Sequence, residues 1–303
     1  MLRRHPLFKA YLALIAVCFF WGTTFLAIRI GLESFPPLAM VSARFLISGS
    51  LMLAGALAAR VRMPRGKELL LTALNGVLIL GVANSCLTWA ELWIPSGLAA
   101  LITTASPLWM VGIDAVLPGG ERLRRATMAG ILVGGAGAVL LVAPRGVGQA
   151  GTALLWGAFF LLQLANFSWS LGSIRQRRMQ GLAHPIVSGA VQQLAAGLAC
   201  LPLALLEREQ PVHWQLRSIA AVLYLVAFGS IVGYSAYVYA LDKLPVALVS
   251  IYNYVNPIVA VFLGWLFFRE PFGWTDAGGM AVIFLGVAVV KRSSRGPTAV
   301  EVD

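Results

Sequence analysis

The chain alternates ten apolar runs with short polar breaks rich in arginine, proline and glycine. The runs cover residues 10–31, 37–59, 68–90, 96–117, 126–143, 152–173, 186–206, 218–240, 246–268 and 274–290. A bilayer core about 30 Å thick takes roughly 20 apolar residues per helix, with about 17 as the lower bound, so each run can cross one. The pattern predicts an all-α integral membrane protein with ten transmembrane helices. Almost no length remains for a soluble domain, since the longest connections lie near 173–186 and 206–218. The first run follows Arg3, Arg4 and Lys9 as a secretory leader would. It exceeds the roughly 7–15 apolar residues of such a leader and no small-x-small cleavage site closes it, so it reads as the first span.

Composition agrees, with 59% hydrophobic residues, 12% charged residues and a mean hydropathy of +0.82. The net charge of +11 would point to nucleic acid if the cations formed a stripe, but they sit in clusters between the apolar runs. Arg3, Arg4, Lys9, Arg60, Arg62, Arg65, Lys67, Arg122, Arg124, Arg125, Arg175, Arg177, Arg178, Lys243, Lys291, Arg292 and Arg295 fall on the side of the N-terminus. Arg29, Arg145, Arg208, Arg217 and Arg269 fall on the other. The positive-inside rule therefore places both termini in the cytoplasm. Trp89, Trp93, Trp156, Trp214, Trp265 and Trp274 then mark the outer boundary, as an interfacial belt does, whereas Trp21, Trp109 and Trp169 do not. Cys18, Cys86 and Cys200 are odd in number and lie inside apolar runs, so they build no disulfide framework. The expected partners are a lipid bilayer and a small-molecule substrate, with no nucleic acid, in a monomer or weak homodimer.

Displaced by 150 residues, segment 81–111 overlays 231–261, with Pro95 on Pro245 and Pro107 on Pro257. One residue of slippage later, Glu121 meets Glu270, Gly130 meets Gly279 and Gly137 meets Gly286. Residues 10–143 and 152–291 thus form two five-helix repeats, followed by a short tail, 292–303. Five is odd, so the second repeat enters the membrane from the opposite face. Inverted repeats of this kind are the architecture of secondary transporters, with a midplane substrate site and alternating access.

Pro107 and Pro257 sit at the centres of the fourth and ninth runs and are the candidate hinges. Each frees a carbonyl one turn back, at Thr103 and Asn253, and kinks or interrupts its helix. Thr103, Thr104 and Ser106 stand beside one break, and Tyr252, Asn253, Tyr254 and Asn256 beside the other. Paired interruptions point to a transport site; the alternative is proline tolerated within ordinary packing. Asn84, Ser85 and Thr88 match Tyr234, Ser235 and Tyr237 in depth. With Trp21, Thr24, Trp109, Asn166 and Trp169 they would line an apolar cavity holding a few hydrogen-bonding groups, suited to a small amphipathic solute. The alternative for each is interhelical packing. Arg44 lies inside the second span, where it either receives a substrate carboxylate or pairs structurally, Glu91 being the nearest candidate.

No acid or histidine occupies the midplane, which favours facilitated diffusion or exchange over proton coupling. Asp114 lies near the cytoplasmic edge, as a coupling group or a snorkelling one. Glu121 and Glu270 precede helices, where negative charge favours the N-terminus or forms a loop latch. GVGQAG (146–151) matches GxGxxG but follows a membrane helix and lacks the acidic residue, so it reads as a loop. HExxH and GxSxG are missing, so neither an enzyme, a catalytic residue, a metal nor a cofactor is expected. The Gly130/Gly134 and Gly229/Gly233 pairs read as close packing within the bundle rather than between subunits.

FFWGTTFLAIRIGLESFPPLAMVSARFL (19–46), with Trp21, Gly22, Pro37, Arg44 and Phe45, resembles the opening signature of the EamA family in the drug/metabolite transporter superfamily. WIPSGLAALITTASPLW (93–109) and LPVALVSIYNYVNPIVAVFLGWLFFREPF (244–272) resemble its pre-proline segments and closing Glu. The resemblance spans about 19–143 and 218–290. It implies a ten-helix carrier of the bacterial cytoplasmic (inner) membrane, and its YddG-like branch implies export of amino acids, aromatic ones among them. The competing expectations are an importer or exchanger of another metabolite or drug, a channel-like pore, and a lipid-intermediate flippase.

Overall fold

The computed structural model describes residues 7–118, 125–142, 152–179, 184–207, 214–244, 249 and 252–293. Arg3, Arg4, Arg122, Arg124, Arg145, Arg208, Arg295, the repeat markers Glu121 and Pro245, and the GVGQAG segment lie outside these residues. Ten helices are traced among the described residues, and no strand. They are α1 (Phe8–Gly31), α2 (Pro37–Ala58), α3 (Gly66–Ala90), α4 (Ser96–Val116), α5 (Arg125–Val142), α6 (Thr152–Arg178), α7 (Pro185–Leu206), α8 (Leu216–Lys243), α9 (Tyr252–Phe268) and α10 (Trp274–Ser293). Seven, α1 to α4 and α6 to α8, are long and apolar enough to cross a membrane. The apolar stretches of α5, α9 and α10 are shorter. Proline at the first position starts α2 (Pro37) and α7 (Pro185), where its missing N–H costs nothing and its fixed φ suits the helix.

Matched helices of the two halves pack on each other, α2 on α7 and α5 on α10. A Cβ on Gly137 would lie 2.7 Å from Ile283 N and 3.0 Å from Gly279 O. One on Gly286 would lie 2.4 Å from Gly134 N and 2.6 Å from Gly130 O. The higher number on α5 therefore meets the lower on α10, and the two helices run antiparallel. The same holds for α2 and α7: Gly49 approaches Leu194, Gly197 approaches Leu46, and Met52 reaches Gly189. Matched helices lying antiparallel, with contacts that repeat when the halves are exchanged, are what inverted halves require. The Gly130/Gly134 pair accordingly packs inside the bundle.

The remaining contacts obey the same exchange. α1 packs on α8 and α9 of the second half, and α6 packs on α3 and α4 of the first. The third helix of each half contains a π-helical segment, Val77–Val82 in α3 and Leu225–Val232 in α8, at matched positions. Such i→i+5 turns carry one extra residue and cluster at functional sites. Their carbonyls are met from the opposite half: Trp21 Nε1 donates to Gly229 O at 3.0 Å, and Ser168 Oγ donates to Leu78 O at 2.7 Å.

The two proline helices differ. α4 is broken between Ser96–Thr103 and Ser106–Val116, immediately before Pro107. Asn166 Nδ2 donates to Ile102 O at 3.3 Å and Ser170 Oγ to Ser106 O at 3.0 Å, so α6 satisfies the backbone at the break. α9 runs without interruption through Pro257. Of the two expected outcomes, a kink or an interruption, Pro257 does not interrupt its helix over Tyr252–Phe268.

One end of the bundle is stitched across the halves by carboxylates on helix N-termini. Glu270 Oε1 accepts from Ser96 N and Ser96 Oγ, both at 2.9 Å, and Oε2 accepts from Gly97 N at 2.9 Å. Glu207 Oε2 accepts from Leu38 N at 2.9 Å and Ala39 N at 3.3 Å at the start of α2. Ser34 Oγ donates to Ser218 Oγ at 2.8 Å at this same end. A carboxylate facing a helix N-terminus satisfies free N–H groups and opposes the dipole. At the other end Arg178 pairs with the part-exposed Asp114 at 3.5 Å, which ties α6 to α4.

Candidate functional site

A cavity lies between the halves, with about 800 Å³ unfilled by atoms, its open mouth included. It is lined by Trp21, Thr24, Arg44, Asn84, Thr103, Ser106, Asn166, Trp169, Tyr234, Tyr252, Asn253 and Asn256 of the residues expected from sequence, and by Pro257. A helix-rich bundle with a mostly apolar pocket and a few directed polar groups is a common setting for a small-molecule site.

Four expected residues lie elsewhere. Ser85 turns away from the cavity to Cys200 on α7, at 3.4 Å. Thr88 is buried and absent from the lining. Trp109 Nε1 donates to Gln163 Oε1 at 2.9 Å and its ring packs edge-on against Phe167. Tyr237 is buried behind the wall, bonded to Ser173 at 2.8 Å and packed on Trp21, Trp169 and Tyr252. Residues adjacent in a helix point about 100° apart, and here Asn84 faces the cavity while Ser85 faces α7.

One wall is aromatic. Trp21 meets Trp169 and Tyr252 edge-on with ring centroids 5.2 and 5.1 Å apart. Their polar atoms are engaged within the protein, Trp169 Nε1 donating to Tyr252 Oη at 2.9 Å and Trp21 Nε1 to Gly229 O. Turned so that its nitrogen faces acceptors, the Asn256 amide donates to Cys18 O at 2.9 Å and Tyr252 O at 3.1 Å, holding α9 to α1. Thr24 and Thr103 donate to carbonyls of their own helices, Trp21 O and Ala100 O.

Arg44 is the exception. Its side chain is 6% exposed and lies in the cavity wall. Nε donates to Ser230 Oγ at 2.7 Å, Nη1 lies 3.5 Å from Asn84 Oδ1, and the guanidinium sits 4.9 Å from the Phe45 ring centroid. No carboxylate pairs with it among the described residues. The expected alternative partner, Glu91, faces elsewhere: Arg29 Nη1 donates to the Glu91 main-chain oxygen at 2.6 Å. A guanidinium has five N–H donors, and neutral oxygens engage only two of these. The site thus offers an undischarged cation at an apolar wall, able to receive a carboxylate with charge-assisted bonds.

Ser230 and Gly229 were not singled out as site residues by the sequence. Ser230 orients Arg44, and a Cβ on Gly229 would come 2.9 Å from Arg44 Nη2 and 3.0 Å from Thr24 Cγ2. The available signal was the Gly229/Gly233 pair, whose close neighbours are Arg44 and Trp21. A polar chain extends behind the site: Gln193 Nε2 donates to Ser230 O at 3.3 Å, and Ser48 Oγ donates to Gln193 Oε1. Among the described residues no group of His, Cys, Asp and Glu is placed to hold a metal.

The sequence profile of the EamA-like transporter family matches residues 8–143 and 155–292. Those two segments are the two halves, and the second includes α6 and α7, beyond the reach of the sequence motifs. The inner membrane transporter YedA of Escherichia coli K12, described as uncharacterized, is 36% identical over 94% of this chain and 90% of its own length. A probable amino-acid metabolite efflux pump of Salmonella typhimurium LT2 is 26% identical over 94% of this chain and 97% of its own. A solved crystal structure of a protein 25% identical to this chain superposes with a TM-score of 0.68, covering 95% of this chain and 99% of the other.

Proposed function

Because this chain belongs to the EamA-like transporter family, we propose that it is a secondary carrier exporting amino acids, aromatic and other hydrophobic ones included, by alternating access around the Arg44 cavity. All ten helices cross the bacterial inner membrane in this reading, with both termini in the cytoplasm. The observation that carries it is Arg44, a buried guanidinium without an acidic partner among the described residues, facing a cavity walled by Trp21, Trp169 and Tyr252. The cation receives the carboxylate and the rings receive an apolar side chain. Trp and Tyr faces also attract an ammonium, and the amide oxygens near Asn253 and Asn166 supply further acceptors. The name of the Salmonella relative supports the same solute class.

The test is counterflow of labelled amino acids in proteoliposomes holding the purified protein. Exchange accelerated by internal unlabelled phenylalanine or leucine, lost in Arg44→Gln, supports the carrier. Flux without exchange acceleration identifies a pore, and carboxylate transport that survives Arg44→Gln in folded protein removes the anion-receiving role. Movement of a labelled lipid with no amino-acid flux identifies a flippase.

A further inference from the structure

Glu91 comes directly after the last residue of α3 and is fully buried, at 0% exposure. Among the described residues, neither carboxyl oxygen meets a hydrogen-bond donor. The charged groups acting on it are Arg29 from α1 and Glu270 from the segment after α9. Arg29 turns its Nη1 to the Glu91 main-chain oxygen instead of the carboxyl. Its chain neighbours Ala90 and Ile94 pack in one cluster with Leu98 of α4 and with Leu155 and Phe159 of α6, none of which carries charge.

Two carboxyls therefore share one apolar end of the bundle, and their donors differ. Glu270 accepts three hydrogen bonds from Ser96 and Gly97. Glu91 accepts none. Burial pushes the Glu91 carboxyl well above the usual carboxylate range, Glu270 adds to this and Arg29 opposes it. A buried charge without partners is costly, so the proton settles on Glu91. A group held neutral in the dry, shut end stabilises that end at low pH, and this contribution is lost as pH rises through its raised pKa.

We propose that Glu91 is a proton-binding site governing the end of the bundle shut by Glu270: protonated, it lets that end stay dry and latched, and its loss of the proton to water accompanies opening. On the charge-derived topology this end faces outward, so external acid holds the exit closed and solute release is proton-linked. That gives the carrier a second ligand, taken at a site separate from the Arg44 cavity.

Two measurements test this without any solute, so they stand apart from the amino-acid reading. In infrared titration of purified protein, wild type should show a protonated carboxyl band at neutral pH that Glu91→Gln removes. In hydrogen exchange of the peptide covering 91–97, corrected for intrinsic rates, the Ser96 and Gly97 amides should exchange faster near pH 8 than near pH 5.5, about tenfold for each pH unit over which the shut end holds the proton and the open end does not. Glu91→Gln, a mimic of the neutral acid, should keep the low-pH protection at both. A wild type with no such band, a band that survives the substitution, or exchange that responds to pH equally in both proteins overturns the proposal. The wild-type titration alone decides it if the variant does not fold.

Discussion

Arg44 Nε and Ser230 Oγ lie 2.7 Å apart across the boundary between the two halves, joining α2 of the first to the π segment of α8 in the second. The bond holds the guanidinium in the cavity wall, and on the proposed function its remaining N–H groups meet the solute's carboxylate. Ser230→Ala keeps the charge and loses the orientation. Hydrogen bonds to charged groups contribute roughly 1.5–3 kcal/mol, so the Kd for a carboxylate-bearing solute should rise about ten- to a hundredfold. Arg44→Lys should not rescue it, since an ammonium lacks the planar fork. Equilibrium binding to purified protein, with solutes bearing or lacking the carboxylate, measures the difference.

Trp21 is both a wall of the cavity and the donor to a π-segment carbonyl, Gly229 O. Trp21→Phe retains the ring contacts and leaves that buried carbonyl without its side-chain donor. A loss of about 1–3 kcal/mol is expected for an unsatisfied buried group. Thermal unfolding in detergent should register it, and an unchanged melting temperature would contradict the role given to this bond.

At the shut end, room for the latch depends on Gly264, where a Cβ would lie 2.3 Å from Glu270 Oε2 and 2.9 Å from its Cδ. Gly264→Ala should displace the carboxylate from the α4 N-terminus. Losing such a cap costs about 0.5–2 kcal/mol, or up to about thirtyfold in the opening equilibrium. Exchange at Ser96 and Gly97 should rise in Gly264→Ala and Glu270→Gln alike.

The α5–α10 seam gives an internal control. Gly286→Ala drives a Cβ to 2.4 Å from Gly134 N, a backbone atom that cannot yield. Overpacking of this kind costs about 1–3 kcal/mol. Gly135, on the same helix as Gly134, has nothing within 4 Å of its Cβ position, so Gly135→Ala should stay within about 0.5 kcal/mol of wild type. Chemical denaturation of the paired variants checks both.

Helix positions were legible because apolar runs and their breaks report membrane crossing directly: the traced helices start and end within a few residues of the runs, except that α6 extends to Arg178 and α9 is traced from Tyr252, most of 246–251 lying outside the described residues. The duplication was legible from proline and glycine spacing, which survives where apolar identity does not. Facing was less so. Arg44, Trp21 and Asn166 line the cavity, whereas Ser85 and Tyr237 share depth with the lining residues and point elsewhere. The π segments before Asn84 and Tyr234 explain part of this, because one extra residue in a turn rotates the rest of the helix and leaves no mark in a 3.6-residue period. Ser230 was hidden for the same reason. The pairing of Arg44 with Glu91 failed because sequence gives depth along a helix and not azimuth, and Arg29 lay nearer.

The unequal proline helices have a consequence for motion. The halves are alike in sequence and opposed in direction, yet one proline rod is broken at Thr104–Ala105 while its counterpart is helical through Pro257 over Tyr252–Phe268. In the alternating-access reading proposed above, each half would take up its sibling's posture, the broken rod closing and the continuous one opening beside its proline. Each half then serves as the template for the other's second form.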